Sequence, residues 1–349
     1  MEKKTVAVAM SGGADSTYAA YILKKQGYDV IGVMAKFWVA PDEEGTCRSN
    51  LCCSPESLAS ARANAKKLGI DFYLVDMTKE FKEKVVDYYI KEYKACRTPN
   101  PCVMCNQEIK FGLLAEKAKA LGAQFFATGH YAIIDKTPSG KIIKKARDDS
   151  KDQSYFLWRL SQEQLGHTIF PLGNCFKRDI LKELEKNHLE LSPKESQDVC
   201  FIGNMSQKFF LEKYIDSKSE GNIIDKHNNK IGEHKGLFGY TIGQRHHLGV
   251  NLPVPKYVIK LDGATNSLVV GDLKDLEKDE FEIEDCNWFC ENVENIEDLY
   301  VSTRYNQAPV KCCLNKTKTL LDRPLKAITP GQSAVFYQDD KLVGGGIIK

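Results

Sequence analysis

Apolar and polar positions along the chain follow two different rhythms. Val6 to Met10, Val30 to Met34 and Phe72 to Val75 are short unbroken apolar runs, the pattern of strands buried on both faces. Helical patterns fall between them: Tyr18, Ala19, Ile22 and Leu23 ending at Gly27, then about Ser57 to Leu68 stopping at Gly69. A helix from about Glu108 to Leu121 precedes a fourth strand, Gln124 to Ala127. Such alternation predicts a parallel sheet with helices on both faces, and ligands then belong at the carboxyl ends of the strands. Tyr131 to Asp135 and Lys141 to Lys145 read as a hairpin around Pro138-Ser139-Gly140. Lys151-Asp152-Gln153 is expected to open an aromatic core helix through Tyr155, Phe156 and Trp158, and Lys177 to Asn187 is an amphipathic helix.

From about Ser206 the rhythm changes. One more helix to Ile215 gives way to Gly-rich short strands, including Gly236 to Arg245, and to a hairpin from Tyr257 to Val270 turning at Thr265-Asn266. Strands at short intervals follow (Val301 to Tyr305, Val310 to Leu314, Ala334 to Tyr337, Leu342 to Ile348), which suggests a small β-barrel. The expected class is therefore α/β, with three parts. Residues 1–204 form a doubly wound parallel-sheet nucleotide-binding domain, 205–272 a small central mostly-β domain, and 273–349 a C-terminal β-barrel. There is no internal repeat.

The 349 residues, 42% of them apolar, suffice for two or three domains with their own cores. No stretch reaches the length of a membrane span, and Met-Glu-Lys-Lys runs straight into the first strand, so the expected location is the cytoplasm, away from any membrane. A formal charge of +2 excludes a protein-wide basic field, and any RNA surface must be local, as in Lys141, Lys144, Lys145 and Arg147. Twelve cysteines in a reducing compartment point to thiols, metal ligands or catalysts before structural disulfides.

Behind the first strand, Ser11-Gly12-Gly13-Ala14-Asp15-Ser16 reads as a phosphate cradle. Glycines let backbone approach an anion, hydroxyls and N–H groups at a helix start bind its oxygens, and the helix dipole favours the charge. The loop lacks the Gly-Lys-Ser/Thr ending of the Walker type and the spacing of a dinucleotide fingerprint. Asp15 is the natural contact for Mg²⁺, a hard cation that prefers carboxylate oxygen. Between the third and fourth strands, Arg97-Thr98-Pro99-Asn100-Pro101 is a stiff loop expected to hold Cys105 near a helix N-terminus, where a thiol gains thiolate character. The spacing of Cys102 and Cys105 suits a zinc half-site, a redox pair or two packed thiols alike. Cys200, taken alone, reads as a core residue.

Seven motifs then occur in one order: Ser-Gly-Gly-x-Asp-Ser from Ser11, Arg-Thr-Pro-Asn-Pro-x-x-x-Cys-Asn from Arg97, Ala-Thr-Gly-His-Tyr from Ala127, Lys-Asp-Gln-Ser-Tyr-Phe-Leu from Lys151, Cys-Phe-Ile-Gly from Cys200, Thr-Ile-Gly-Gln-Arg from Thr241 and Thr-Pro-Gly-Gln-Ser-Ala-Val-Phe-Tyr from Thr329. The first resembles the pyrophosphate loop of the ATP pyrophosphatases. The whole set resembles the bacterial tRNA-specific 2-thiouridylases over essentially the entire chain. That resemblance implies ATP held by Ala9, Met10, Ser11, Gly12, Gly13, Ala14, Asp15 and Ser16, with Ala35 and Gly129. ATP would adenylate the 2-oxygen of the wobble uridine, position 34, in tRNAs for Lys, Glu and Gln. It implies Cys200 as the persulfide carrier, charged by a sulfur-carrier protein or cysteine desulfurase, and Cys105 as the nucleophile, the two ending as a disulfide. Asn100, Pro101 and Cys102 would lie at the target base, and His130, Lys151, Asp152, Gln153, Arg304, Tyr305 and Gln332 would touch tRNA, whose base must be unstacked to enter.

The chain departs from that family in two places. Cys102 stands where many members carry aspartate. Cys102, Cys105 and Cys200 would together make the ligand set of a [4Fe–4S] cluster with one open iron, an alternative to the persulfide relay. Glu195 to Val199 replaces the Asp-Ser-Thr-Gly-Ile of many relatives, and Cys47, Cys52 and Cys53 are additional, read as incidental loop thiols ahead of a zinc site. An amidotransferase-type synthetase would share the first loop without needing the thiols. A metal-dependent RNA-binding module would need the thiols without Asp15.

Overall fold

A computed structural model describes residues 3–41, 54–138, 140–189, 199–203, 205–215, 220–250 and 254–349. The expectations for Cys47, Cys52, Cys53 and 195–198 lie outside them. By contacts the chain divides into two units, one of residues 1–86, 101–204 and 340–343, the other of 87–100, 205–339 and 344–349.

In the first unit, β1 (Thr5–Ala9), α1 (Ala14–Lys25), β2 (Asp29–Lys36), α2 (Pro55–Leu68), β3 (Asp71–Asp76) and β4 (Phe125–Ala127) alternate. A hairpin follows, β5 (Ile133–Thr137) with β6 (Gly140–Lys144), and then a short β7 (Thr168–Ile169). The sheet order is β3-β2-β1-β4-β7 and every pairing is parallel. Val30 to Ala35 of β2 are all buried, as an unbroken apolar run requires of a central strand. Val6, Val8, Ala19, Leu23, Ala61 and Leu184 join the core between sheet and helices. Strand order reverses on either side of β1, which puts the loops after β1 and β4 at the switch point of the sheet, where α/β proteins bind ligands. Helix α2 begins cleanly because Ser54 Oγ accepts from Ser57 N at 3.0 Å and Pro55 takes the first helical position.

The second unit contains a four-stranded sheet, β8 (Gly221–Asp225), β9 (Lys230–His234), β10 (Tyr257–Asp262) and β11 (Ser267–Gly271), in the order β10-β11-β8-β9. It also contains β12 (Glu277–Trp288), β13 (Tyr300–Ser302), β14 (Val310–Asn315), β15 (Lys318–Lys326), β16 (Ser333–Gln338) and, from residue 344 on, β17 (Lys341–Ile348). These run in the order β12-β15-β14-β13-β16-β17 and close into a barrel where Ile283 pairs with Ile348 and Glu284 with Ile347. The α/β class, the parallel nucleotide-type sheet, the central β region and the closed barrel all match the sequence reading.

Local expectations fail in three places. The segment after Gln153 is a short 3₁₀ turn, Ser154–Phe156, and not a helix. Asp152 binds the backbone N–H and hydroxyl of Ser154 at 3.4 and 2.7 Å, a local bond that competes with helix formation. Its aromatics are core all the same, with Tyr155 and Trp158 buried. Gly236 to Arg245 holds a 3₁₀ turn, Leu237–Gly239, in place of strands. Two long strands, β12 and β15, were not expected. Their outer faces are charged, paired across the ladder as Lys318–Glu280 at 2.8 Å and Lys326–Glu277 at 3.5 Å, and this hides the apolar alternation of Phe281 and Ile283. No helix among the described residues is long and apolar enough to cross a membrane.

Candidate nucleotide and thiol site

The Ser11 to Ser16 turn is drawn tight by its own hydroxyls. Ser11 N donates to Ser16 Oγ at 3.1 Å, the two serine hydroxyls lie 3.3 Å apart, and Ser16 Oγ donates to Gly13 O at 3.0 Å. From α2, Ser60 Oγ donates to Gly12 O at 3.0 Å. Gly12 is required here: its φ is +80° and a Cβ would collide with the Ser57 carbonyl. Helix α1 starts at Ala14 after an N-cap, Gly13, that has no side-chain acceptor to offer, so its first-turn N–H groups are not capped from that position. Gly129, on the turn after β4, closes the other wall. A Cβ there would lie 2.9 Å from both Asp15 C and Ser16 N, so β4's loop touches the cradle only because that residue is glycine. Ala9 ends β1, Met10 follows it directly and Ala35 lies on β2, with Met10 and Ala35 buried.

Asp15 sits in the first turn of α1 and is held by two residues not among the expected site residues, Tyr131, which closes the Ala-Thr-Gly-His-Tyr motif, and Lys177, which lies in no motif. Tyr131 OH donates to its Oδ1 at 2.6 Å, and Lys177 Nζ lies 2.8 Å from Oδ1 and from Oδ2. Burial and the bond to Asp15 push the Tyr131 hydroxyl far above the ordinary tyrosine value, so it stays protonated and donates. Tyr131 is itself fixed at both backbone groups, its N–H donating to Gln153 Oε1 at 3.1 Å and its carbonyl accepting from Gln153 N at 2.9 Å. Lys177 N donates to Asp148 Oδ2 at 3.0 Å. Lys177 falls on the expected amphipathic helix, where a first-turn lysine is against the dipole preference, and that is the signal sequence reading could have used. Among the described residues no three His, Cys, Asp or Glu side chains converge to hold a metal ion. One carboxylate fits Mg²⁺ arriving with phosphates, since that ion keeps most of its ligands as water and phosphate oxygen. Cys102, Cys105 and Cys200 do not fit an iron–sulfur cluster as they stand.

Cys105 is buried and is not at the helix start. The helix begins at Pro101–Met104, with exposed Cys102 in its first turn, and Cys105 opens the wider π-helical stretch Cys105–Leu114. Beside it Asn106 Nδ2 donates to Phe156 O at 3.0 Å, while Asn106 Oδ1 and Gln107 Oε1 are buried with no partner in the protein. Cys200, half-buried, heads a turn anchored by Phe201, which packs edge-on against Phe81 at 5.9 Å and whose carbonyl accepts from Ala40 N at 3.2 Å. Phe81 ends the helix Thr78–Phe81, and this helix packs on Cys105–Leu114. One helical segment thus lies against both the element carrying Cys105 and the turn carrying Cys200.

Several residues expected at tRNA use their polar groups inside the protein. His130 is buried between Phe111 and Phe170, its Nδ1 2.7 Å from Thr128 Oγ1, and burial holds its pKa well below the ordinary value. Asp152 accepts from Ala146 N at 2.8 Å as well as from Ser154, and burial raises its pKa. Lys151 ends the turn Asp149–Lys151, half-buried. In the second unit Arg304 donates to Ala327 O at 2.8 Å with Tyr305 exposed beside it, and Gln332 Nε2 donates to the carbonyls of Thr98 (2.9 Å) and Pro99 (3.4 Å). Arg97 binds Glu92 at 2.8 Å and Glu284 at 2.6 Å, so the loop up to Asn100 is braced from the barrel, while Pro101 is counted with the first unit.

Residues 4–204 match the family model described as tRNA methyl transferase HUP domain, 208–272 the tRNA methyl transferase PRC-barrel domain, and 278–348 the aminomethyltransferase beta-barrel domain. The chain is 44% identical over 358 residues to the tRNA-specific 2-thiouridylase MnmA 1 of Clostridium botulinum strain Okra, covering 100% of this chain and 99% of that one. It is 42% identical over 356 residues to its namesake from strain Loch Maree, covering 99% of each. Among solved structures, the U34-tRNA thiolase NcsA from Methanococcus maripaludis matches at 18% identity with TM-score 0.37, over 62% of this chain and 66% of that one, too low to carry an argument.

Proposed function

This chain belongs to the tRNA-specific 2-thiouridylase family, and we propose that it thiolates the 2-position of a tRNA uridine at the expense of ATP, specifically wobble uridine 34 of tRNAs for Lys, Glu and Gln, in the cytoplasm. ATP binds the Ala9 to Ser16 loop against Gly129, and the uridine 2-oxygen attacks the α-phosphorus. Pyrophosphate leaves, and the oxygen becomes part of a good leaving group, AMP. The α1 N-terminus and the serine hydroxyls stabilise charge on the phosphates. Asp15 would hold Mg²⁺, which supplies charge neutralisation on the departing pyrophosphate.

Sulfur arrives as a persulfide on Cys200, donated by a carrier protein or cysteine desulfurase. Its terminal sulfur attacks C2 and displaces AMP, leaving the base joined to Cys200 by a disulfide. Cys105 thiolate attacks Cys200 Sγ in that disulfide, the 2-thiouridine is released as the thiolate, and a Cys105–Cys200 disulfide remains for an external thiol to reduce. Residues 205–272 serve as a tRNA-contacting domain beside the barrel.

What supports this reading most is that the phosphate loop, Cys105 and Cys200 belong to one unit, with Asp15 already held at the loop mouth. Nucleoside mass spectrometry of tRNA from a strain lacking the protein tests it. Disappearance of 2-thiouridine derivatives from the Lys, Glu and Gln tRNAs alone is expected, and unchanged thiolation there would reject it.

A further inference from the structure

The helix Lys177–Lys186 brings a cation to the cradle. Lys177 Nζ is equidistant, at 2.8 Å, from both oxygens of Asp15, and its side chain is only 13% exposed. Its backbone is fixed by Asp148 at 3.0 Å, and Tyr131 fixes the carboxylate from the other side at 2.6 Å. The cradle's other groups are neutral hydroxyls and N–H donors, and Asp15 alone would repel a polyphosphate. An ammonium carries three donors on a flexible stem, so one lysine can bind a carboxylate and a phosphate oxygen together, as a point charge.

We propose that Lys177 is a phosphate-binding residue of the nucleotide site, oriented by Asp15 and donating to oxygens of the β and γ phosphates of ATP. This rests on the reading that the Ala9 to Ser16 loop takes ATP. The proposal separates two jobs that a lysine on Asp15 could have: neutralising the aspartate, or binding the ligand.

The test is calorimetric binding of ATP, AMP and inorganic pyrophosphate, without turnover, to the full chain and to K177M, K177R, D15N and the double variant D15N/K177M, each first checked for an unchanged circular dichroism spectrum. K177M should weaken ATP and pyrophosphate about 10- to 100-fold, the range for a lost charge-assisted contact, while AMP changes less than about twofold. K177R should recover most of that loss. D15N/K177M should bind ATP more weakly than D15N. Wild-type affinity of K177M for ATP, an equal loss for AMP, or a double variant no worse than D15N would each overturn the role of Lys177 alone. A wild-type chain that binds neither ATP nor AMP would instead overturn the nucleotide reading beneath it.

Discussion

Asp15 and Cys105 stand at the two chemical ends of the proposed reaction, and their surroundings are built in opposite ways. Around Asp15 the polar groups answer one another in a chain from Gln153 through Tyr131 to the carboxylate and on to Lys177 and Asp148. Around Cys105 the neighbouring Asn106 Oδ1 and Gln107 Oε1 are buried and lack partners in the protein. A buried acceptor without a donor costs free energy that native proteins rarely accept except where function needs it. The surroundings of Asp15 are therefore preorganised around a charge, and the helix carrying Cys105 keeps two unmet acceptors beside it.

The sharpest way to break that contrast is to disable each end separately. C200S should lower thiolation at least about 1000-fold, since a covalent carrier has no substitute, while ATP affinity stays within about twofold. D15A should abolish tRNA-dependent release of AMP and pyrophosphate while tRNA affinity, read by filter binding, barely moves. If C200S also lost ATP binding, or D15A still released AMP, the two ends would not be separable and the assignment would fall.

The sequence made the phosphate corner half legible. Ser11 to Ser16 and Gly129 lie in short contiguous motifs because one turn builds each wall, whereas the contacts to Asp15 of Tyr131, two residues after Gly129 in the same motif, and of Lys177 span 116 and 162 residues, which no local pattern encodes. The same physics separates the two folds. Parallel strands buried on both faces announce themselves as apolar runs, as in β2, while barrel strands with one charged face, β12 and β15, do not. Cys200 could be named from its motif alone, but its support by Phe201 on Phe81 is a tertiary fact.

Acid should test the corner next, through stability. His130 is buried and neutral, its pKa held below the unfolded value of 6.5 by burial and then by Lys110. The unfolded chain thus binds a proton that the folded chain refuses, and stability present above pH 6.5 is lost as pH falls from there toward the folded pKa. The slope is at most about 1.4 kcal/mol per pH unit for one such group. His234, lowered by burial too, adds a second contribution of the same sign. Chemical denaturation from pH 7.5 to 5.5 should show stability falling with acid, and H130Q should reduce the slope. A flat profile, or one unmoved in H130Q, would mean that His130 is not the buried neutral ring described.

A smaller effect is expected at Tyr131. Y131F removes a 2.6 Å bond to Asp15 and leaves Lys177 in place, so ATP affinity should fall by about 1 kcal/mol, near fivefold. A loss as large as that of D15A would show that the tyrosine is essential to the carboxylate rather than one of its two supports.

Cys102 should matter least. It lies one helical turn before Cys105, close enough on the helix surface for the two to be neighbours, yet Cys102 is exposed and Cys105 buried. A cluster would need Cys102, Cys105 and Cys200 gathered on one metal, and no three ligating side chains converge among the described residues. A relay needs only a persulfide carrier and one attacking thiolate, and one helical segment, 78–86, packs against both the stretch carrying Cys105 and the turn carrying Cys200. C102S supplied with a persulfide donor should therefore keep thiolation within about threefold of the parent chain, because a serine at an exposed first-turn position removes neither carrier nor nucleophile. Anaerobically purified protein should contain no stoichiometric iron or labile sulfide. Iron and sulfide near four each, lost together with activity in C102S, would replace the relay with a cluster and make the contrast between the two ends one of metal against phosphate.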